Sequence, residues 1–371
     1  MTTYNIGFII EQALGHITHT QNLQRNVPRD PDVQAFWGLV PFEAYGLAGR
    51  IPVYKSNWTV RAGLRARQAV AGIARQTRLD ALFFHTQVPA VLSSDWLWRI
   101  PSIVSLDATP MQYDTLGEFY NHKPGSAWLE HLKWKLNRDC FRAARRLVAW
   151  SEWAKHSLVN DYQVPAEKVI VIPPGVNAAD WICPTPRQLH DRPVKILFVG
   201  ADLERKGGLL LLEAFRALRP IGVELHMVTR ARLPEEPGLF VYGQMQPNSA
   251  ALKQLYYESD IFCLPTYGDC LPMVLSEAGA AGLPVISTRV AGIPEIVEDG
   301  TTGLIVPPGD VPALVDALKS LVRNPQLRLV QGERAVDVIT REFDAQRNAR
   351  RLLSLLKQEA DAARVQRKKV A

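Results

Sequence analysis

Short apolar runs alternate with amphipathic stretches along nearly the whole chain, and this alternation predicts an α/β protein with parallel sheets. The first run, Asn5–Ile10, reads as a core strand. Leu14, Gly15 and His16 follow as a loop, with a helix beginning near Thr18 or His19. Ala81–Phe84 and Ser102–Leu106 are further strands, with His85 and Asp107 at their ends. Leu147–Ala149 is a strand, Ser151 caps a helix from Glu152, and Val169–Ile172 closes the first half. The proline-rich segment Ala178–Pro193 reads as a linker, so residues 1–177 and 194–344 are expected to form two domains. The pattern restarts with strand Lys195–Val199, helix Leu209–Leu218, strands Val223–Val228 and Leu239–Tyr242, and helix Leu252–Glu258. Strand Ile261–Leu264, helix Met273–Ala281 (stopped by Gly282) and strand Pro284–Ser287 follow. Asp310 caps the next helix, and Ala345–Ala363 is a long final one whose basic end, Arg364 to Lys369, reads as a frayed tail.

Open α/β sheets bind ligands at the C-terminal ends of their strands, which singles out the polar residues there. Asp260–Gly282 holds a buried strand, the loop Tyr267-Gly268-Asp269-Cys270, then Leu271 and Pro272 leading into a helix that carries Glu277. The N–H groups of that helix start favour an anion. After Lys195–Val199, the turn Arg205-Lys206-Gly207-Gly208 pairs two cations with two glycines, which suits a phosphate; the alternative is a solvated turn. Arg230 follows the strand Val223–Val228. In the first half Gly15, His16, His85 and Asp107 fall on the corresponding rim, although either histidine also suits a hydrogen-bonded structural role. No GxGxxG follows the first strand, which disfavours a nicotinamide dehydrogenase.

Two stretches stay open. Residues Gln112–Trp128 read as a long irregular loop beside the rim. From Leu129, the apolar positions Leu129, Leu132, Leu136, Cys140, Ala143 and Leu147 recur at helical spacing among Lys133, Lys135, Arg138, Arg142, Arg145 and Arg146. That pattern fits a core helix with a solvated basic face, or a peripheral surface that meets anionic lipid.

Composition narrows the class. The chain has 371 residues, 47% hydrophobic and 22% charged, enough for two globular domains. It lacks the run of about 18 apolar residues that a spanning helix needs. The opening MTTYNIGFII suits a core strand better than a signal peptide. Cys140, Cys183, Cys263 and Cys270 are scattered, which suits reduced thiols in the cytoplasm rather than a disulfide frame or a zinc site. Cys270 fits a small packed residue better than a nucleophile. A net charge of +6 suits anionic ligands or a membrane surface, and without zinc-finger spacing or an aromatic-basic module no nucleic-acid partner is expected. Asp30-Pro31-Asp32 has the letters of a metal motif but follows a polar stretch, so no metal is expected there.

Taken together, the motifs resemble the family 4 retaining glycosyltransferases of the GT-B fold. The likeness is strongest in Val199–Phe215 (VGADLERKGGLLLLEAF) and Tyr267–Asp310. It is moderate in Ala149–Leu158 and Ile172–Asn177, and weaker in Ala13–His19. It implies two Rossmann-like domains facing across a cleft, the second binding a nucleoside-diphosphate sugar, with residues 345–371 crossing back to the first. The sugar nucleotide is a co-substrate and no cofactor is implied. By this resemblance Glu277 holds the donor ribose, Asp269 touches the transferred sugar, and Lys206 grips the diphosphate. Gly15, His16, Arg230, Gly268, Cys270, Leu271 and Pro272 belong to the donor site, while His85 and Asp107 lie on the acceptor side. The acceptor is a hydroxyl of a glycan, glycolipid or small molecule. The leaving phosphate can take the acceptor's proton, and Asp107 is a candidate nucleophile or oxocarbenium stabiliser.

Four departures stand out. Asp269 replaces the first glutamate of a pair separated by seven residues, Ala201 stands where many members have arginine, Asp107 where many have histidine, and Gly15 where two glycines are common. Arg205 is the candidate substitute for the missing guanidinium. Two alternatives stay in view: a nucleotide-sugar epimerase on a similar fold, which needs no acceptor, and a nucleotide-sugar-binding regulator, kept in view by Asp269 and Ala201, which binds a donor without turnover.

Overall fold

The computed structural model describes residues 3–13, 15–44, 52–116, 125–188, 191–243 and 245–370. Leu14, Gln244 and residues 117–124, the middle of the stretch read as an irregular loop, lie outside them. In order, the first half holds β1 (Tyr4–Gln12), α1 (His16–Asn26), β2 (Val33–Pro41), α2 (Pro52–Ser56), α3 (Trp58–Gln76), β3 (Ala81–His85), α4 (Gln87–Ala90) and α5 (Ser94–Arg99). It continues with β4 (Ser102–Leu106), α6 (Pro110–Thr115), α7 (Ala127–Ala143), β5 (Arg146–Ala149), α8 (Glu152–Asn160) and β6 (Val169–Val171). The second half holds β7 (Val194–Val199), α9 (Gly208–Leu218), β8 (Val223–Val228), β9 (Leu239–Tyr242), α10 (Ala250–Glu258), β10 (Ile261–Leu264), α11 (Met273–Ala280) and β11 (Val285–Thr288). It ends with α12 (Ile293–Ile296), β12 (Gly303–Val306), α13 (Val311–Arg323), α14 (Pro325–Glu342) and α15 (Ala345–Val370).

The strands form two six-stranded sheets, ordered β2-β1-β3-β4-β5-β6 and β12-β11-β10-β7-β8-β9, and every pairing is parallel. Parallel strands buried on both faces read as continuous apolar runs, which is why β3, β4 and β10 were visible in the sequence. The half-exposed edge strand β2 falls where the sequence reading places no element. In each sheet the order reverses once, between β1 and β3 and between β7 and β10. Such reversals open a crevice at the strand C-termini.

The chain divides into two compact units: one built from the described residues up to Thr115, Gly125–Pro174 and Ala345 onward, the other from Gly175–Asp344. In the first unit, α3, α5, α7 and α8 cover one face of the sheet, through Ala66, Leu97, Phe141 and Leu158. Helices α1 and α15 cover the other, with Leu23, Leu352, Leu353 and Leu356 on Phe8, Phe83 and Ile103. The last helix extends beyond the expected frayed end. Arg364 pairs with Asp80 at 2.9 Å and lies over the Tyr4 ring.

The segment from Ala178, expected as a linker, is packed. Trp181 is fully buried, and Arg187 donates to the carbonyls of Tyr256, Ser259 and Ala281. Its prolines mark an irregular backbone, not a loose one. Asp30 is held by Lys357 at 2.7 Å, and Asp32 lies 3.8 Å from the same ammonium, so these carboxylates serve an ion pair with α15.

Helix α7 departs furthest from its expected face. Asn137, Cys140, Phe141 and Ala143 are buried, whereas Leu129, Leu132 and Leu136 are exposed. Several stripes of this helix satisfy three- and four-residue spacing, and the sheet beneath covers only one of them.

Candidate active site

In the second unit the site begins at the turn after β7. Asp202 accepts from the Arg205 backbone N–H (3.1 Å) and from its Nε (3.2 Å), which fixes the turn. Gly207 sits at φ +72°, and a Cβ there would lie 1.9 Å from the Pro265 carbonyl oxygen. This contact seats the turn against the end of β10. Gly207→Ala is therefore expected to destabilise the protein by about 3 kcal/mol or more, through strain and backbone displacement. Gly222→Ala, at φ +83° with nothing within 4 Å of its Cβ, should cost only about 1 kcal/mol. Urea unfolding of both variants checks the difference, and equal losses would remove the steric explanation.

The turn delivers its two cations across the strand reversal. Lys206 Nζ donates to Asp269 Oδ2 at 2.6 Å, and Arg205 approaches Asp269 Oδ1 at 3.3 Å while donating to the Gly268 carbonyl at 2.7 Å. The Thr266 hydroxyl lies 3.1 Å from Asp269 Oδ2 and 3.0 Å from the Arg205 carbonyl, with one proton to give to either. The three charged side chains are each less than one-sixth exposed, so their Coulomb interactions are weakly screened. Cys270 and Leu271 are buried beside them. Pro272 is the residue before the first helical position of α11, not inside its first turn, and no side chain caps that helix. Arg230 stands exposed past the end of β8.

Glu277 is the fifth residue of α11 and is buried. Tyr256 of α10 donates its hydroxyl to Glu277 Oε2 at 3.0 Å. Burial pushes the Glu277 carboxyl up to about 7, against the opposing effects of the Tyr256 bond and the Lys253 charge. Trp181 packs edge-on against Tyr256, so the segment expected as a linker supports this carboxylate from behind.

The rim of the first unit carries a second buried polar cluster. Helix α1 begins at His16, earlier than the sequence reading placed it, with Gly15 as its N-cap in ordinary right-handed geometry. Among the described residues, no atom beyond its chain neighbours and its own helix lies within 4 Å of a Cβ on Gly15, so their packing does not demand glycine. The His16 amide donates to the Ala13 carbonyl at 3.0 Å. Both ring nitrogens of His16 are also engaged: Nε2 lies 3.2 Å from Glu11 Oε1 and Nδ1 lies 2.8 Å from His85 Nε2.

His85 is the last residue of β3 and fully buried, stacked on Trp150 at 4.9 Å. It therefore stands at the strand end as expected but supports His16 from within the core, and its burial runs against the expectation that it faces an acceptor. Burial drives its basicity well down and takes His19 to about 3, so both rings stay neutral. Asp107 is placed where the sequence put it, past the end of β4. It accepts from the Ala108 N–H (2.9 Å) and the Tyr113 hydroxyl (3.0 Å).

Glu11 was missed as a site residue. Its carboxylate is buried, accepts from Thr86 at 3.2 Å, and is pushed up by burial and by the charge of Asp107 although His16 opposes this. The available signal was a charged residue closing the apolar run of β1. Tyr113, Thr266 and Tyr256, which hold the carboxylates in place, gave no local signal.

Among the described residues no group of three or more His, Cys, Asp or Glu side chains is arranged to hold a metal. No helix among them is long and apolar enough to cross a membrane.

Two family models match the chain. One, described as Glycosyltransferase Family 4, takes in residues 21–180; the other, Glycosyl transferases group 1, takes in residues 193–324. The chain belongs to the family 4, group 1 glycosyltransferases. It is 30% identical over 225 residues to a D-inositol 3-phosphate glycosyltransferase of Kribbella flavida, a match covering 53% of this chain and 52% of that protein. The chain thus spans about half the length of the curated relatives it matches. Among solved structures, a glycosyltransferase from Rickettsia africae superposes with a TM-score of 0.70 at 17% identity, over 97% of this chain and 99% of that one. The Anabaena protein HepE, solved with UDP-glucose, gives 0.68 at 15% identity, over 95% and 99%. These likenesses show the GT-B fold.

Proposed function

We propose that the protein is a retaining hexosyltransferase that moves a sugar from a nucleoside diphosphate to a hydroxyl of a glycan, glycolipid or small-molecule acceptor. The observation that carries this reading is the convergence of Lys206 and Arg205 on Asp269 beside the uncapped start of α11. Two fixed cations suit a diphosphate, and the carboxylate beside them suits the hydroxyls of an adjoining hexose. HepE, similar in fold, was solved with UDP-glucose, which supports the same donor class here.

In this reading the bond from the anomeric carbon to the β-phosphate oxygen breaks, and negative charge grows on that phosphate. Lys206 and Arg205, already held in place, stabilise the charge without reorganising. The acceptor oxygen attacks from the face the phosphate leaves, its proton passes to a phosphate oxygen, and the products are a glycoside of unchanged configuration and a nucleoside diphosphate. The charge comes from side chains, so this mechanism needs no metal. Glu277 accepts from the ribose hydroxyls with the oxygen that Tyr256 does not use. Asp269, Gly268 and Cys270 border the sugar. Asp107 stabilises positive charge at the anomeric carbon. The ring of His16 is occupied on both sides and acts as a bridge between Glu11 and His85, not as a base.

The test is a thermal-shift panel of UDP-, GDP- and ADP-sugars, followed by an acceptor screen read by mass and by the anomeric coupling constant of the product. A donor-dependent mass increase with retained configuration is expected. An epimerised donor formed without acceptor would establish the epimerase. Donor binding without turnover across the acceptor panel would establish the regulator, and an inverted linkage would remove the retaining mechanism.

A further inference from the structure

We propose that the exposed flank of α7, with Trp98 of the neighbouring helix α5, docks on the surface of an anionic lipid bilayer. Trp128, Leu132 and Leu136 are spaced four apart and form one stripe, with Leu129 beside it. All are exposed: Trp128 by 69%, Leu129 by 49%, Leu132 by 39% and Leu136 by 42%. Helix α5 packs against α7 and leaves Trp98 72% exposed. A run of large apolar side chains on one helix face is unusual for a monomer surface and marks an interaction site.

The charges beside the stripe select the partner. His131, Lys135 and Arg142 follow the adjoining helix face, and all three are exposed. Arg138 lies over the Trp134 ring at 4.5 Å on the next stripe. Acids on this flank are Asp139, 3.8 Å from Arg138, and Asp95 of α5, which is paired with Arg67. An apolar stripe bordered by cations matches an interface where indole and leucyl groups enter the headgroup region while ammonium and guanidinium groups meet lipid phosphates. Two copies of the same face would bring the cationic rows together, which opposes self-association. The net charge of +6 acts in the same direction over longer range.

The position of the helix gives the docking a purpose. Helix α7 ends at Ala143 just before β5 begins at Arg146, so its first turn lies toward the C-terminal rim of the strands. Lys133, in the second turn, binds Asp114 at 2.9 Å, on the helix that follows Asp107. A bilayer against this flank brings headgroup hydroxyls toward the rim that carries Asp107. The delivery of an acceptor rests on the transferase reading; the docking does not.

The test is co-sedimentation of the full chain with phosphatidylcholine vesicles and with vesicles containing phosphatidylglycerol, at low and high salt. Wild type should sediment with the anionic vesicles, and salt should weaken the binding. Leu132→Glu with Leu136→Glu, and separately Lys135→Glu with Arg142→Glu, should each lower the partition by roughly tenfold or more, with an unchanged melting temperature. Activity on a soluble acceptor should survive in both, which separates failure of docking from failure of the transferase reading. Equal binding of wild type and variants, or no binding to anionic vesicles, overturns the proposal. A concentration-dependent dimer that the leucine substitutions abolish would assign the face to a second copy and overturn it as well.

Discussion

Lys206→Ala is expected to lower kcat/KM by about 10²–10³-fold while leaving the fold intact. The loss should fall mainly on kcat, because the leaving phosphate carries more charge in the transition state than in the bound donor, and a cation that strengthens its hold during reaction affects turnover first. The geometry makes the lysine hard to replace. Its ammonium is held at 2.6 Å by Asp269 and is largely shielded from water, so its rotamer is set before the donor arrives. Arg205 remains in the variant and keeps Asp269 paired, which protects stability. Lys206→Arg should recover part of the rate, since charge is kept but the guanidinium is longer and planar. Steady-state kinetics with the donor identified by the thermal-shift panel decide the matter. A kcat/KM within about threefold of wild type would remove Lys206 from the mechanism.

Glu277→Gln is expected to have two opposite effects. The carboxyl titrates at about 7 in the folded protein against an ordinary value of 4.5, because burial penalises its charge. The folded state therefore binds this proton more tightly than the unfolded state. Its contribution is fully present below pH 4.5 and is lost as pH rises to about 7. Above that pH the charged, buried Glu277 costs the empty protein up to about 3 kcal/mol. Glutamine keeps an acceptor for the Tyr256 hydroxyl and does not ionise. The variant should match wild type near pH 4.5 and melt higher at pH 8. In exchange, donor binding should weaken by about 1.5–3 kcal/mol, since a glutamine that keeps its oxygen on Tyr256 turns an NH2 donor, not an acceptor, toward the ribose hydroxyls. Melting curves at both pH values and a nucleotide titration measure the two effects. Parallel pH profiles would show that Glu277 is not the titrating group, and unchanged nucleotide affinity would take it out of the donor site.

The two predictions expose how unevenly the site is written in the sequence. The positions of Lys206, Asp269 and Asp107 were legible because a strand followed by a turn places its polar residues at the rim of its own sheet, and Glu277 followed from its spacing into α11. Their supporting groups were not. Tyr256 lies 21 residues from the carboxylate it holds and looks like any half-apolar helix residue. Glu11 ends an apolar strand, and only the packing of α1 and β3 shows that it is held by His16 and Thr86. His85 looked like a rim ligand because strand ends usually face solvent. Trp150 and His19 close over it instead.

The sequence by itself determined the alternation of strands and helices, the caps at Ser151 and Asp310, both observed as side-chain acceptors, and the placement of charge at strand ends. These are local matters of periodicity and turn chemistry. Only the tertiary structure decided which strand ends become neighbours. Pairing β7 with β10 puts Lys206 on Asp269, 63 residues away, and pairing β1 with β3 joins His16 to His85. Strand order depends on contacts distant in sequence, which local patterning does not encode. The same limit applies to α7. Its spacing shows that apolar stripes exist, but only the sheet beneath decides which is buried and which is left for a partner.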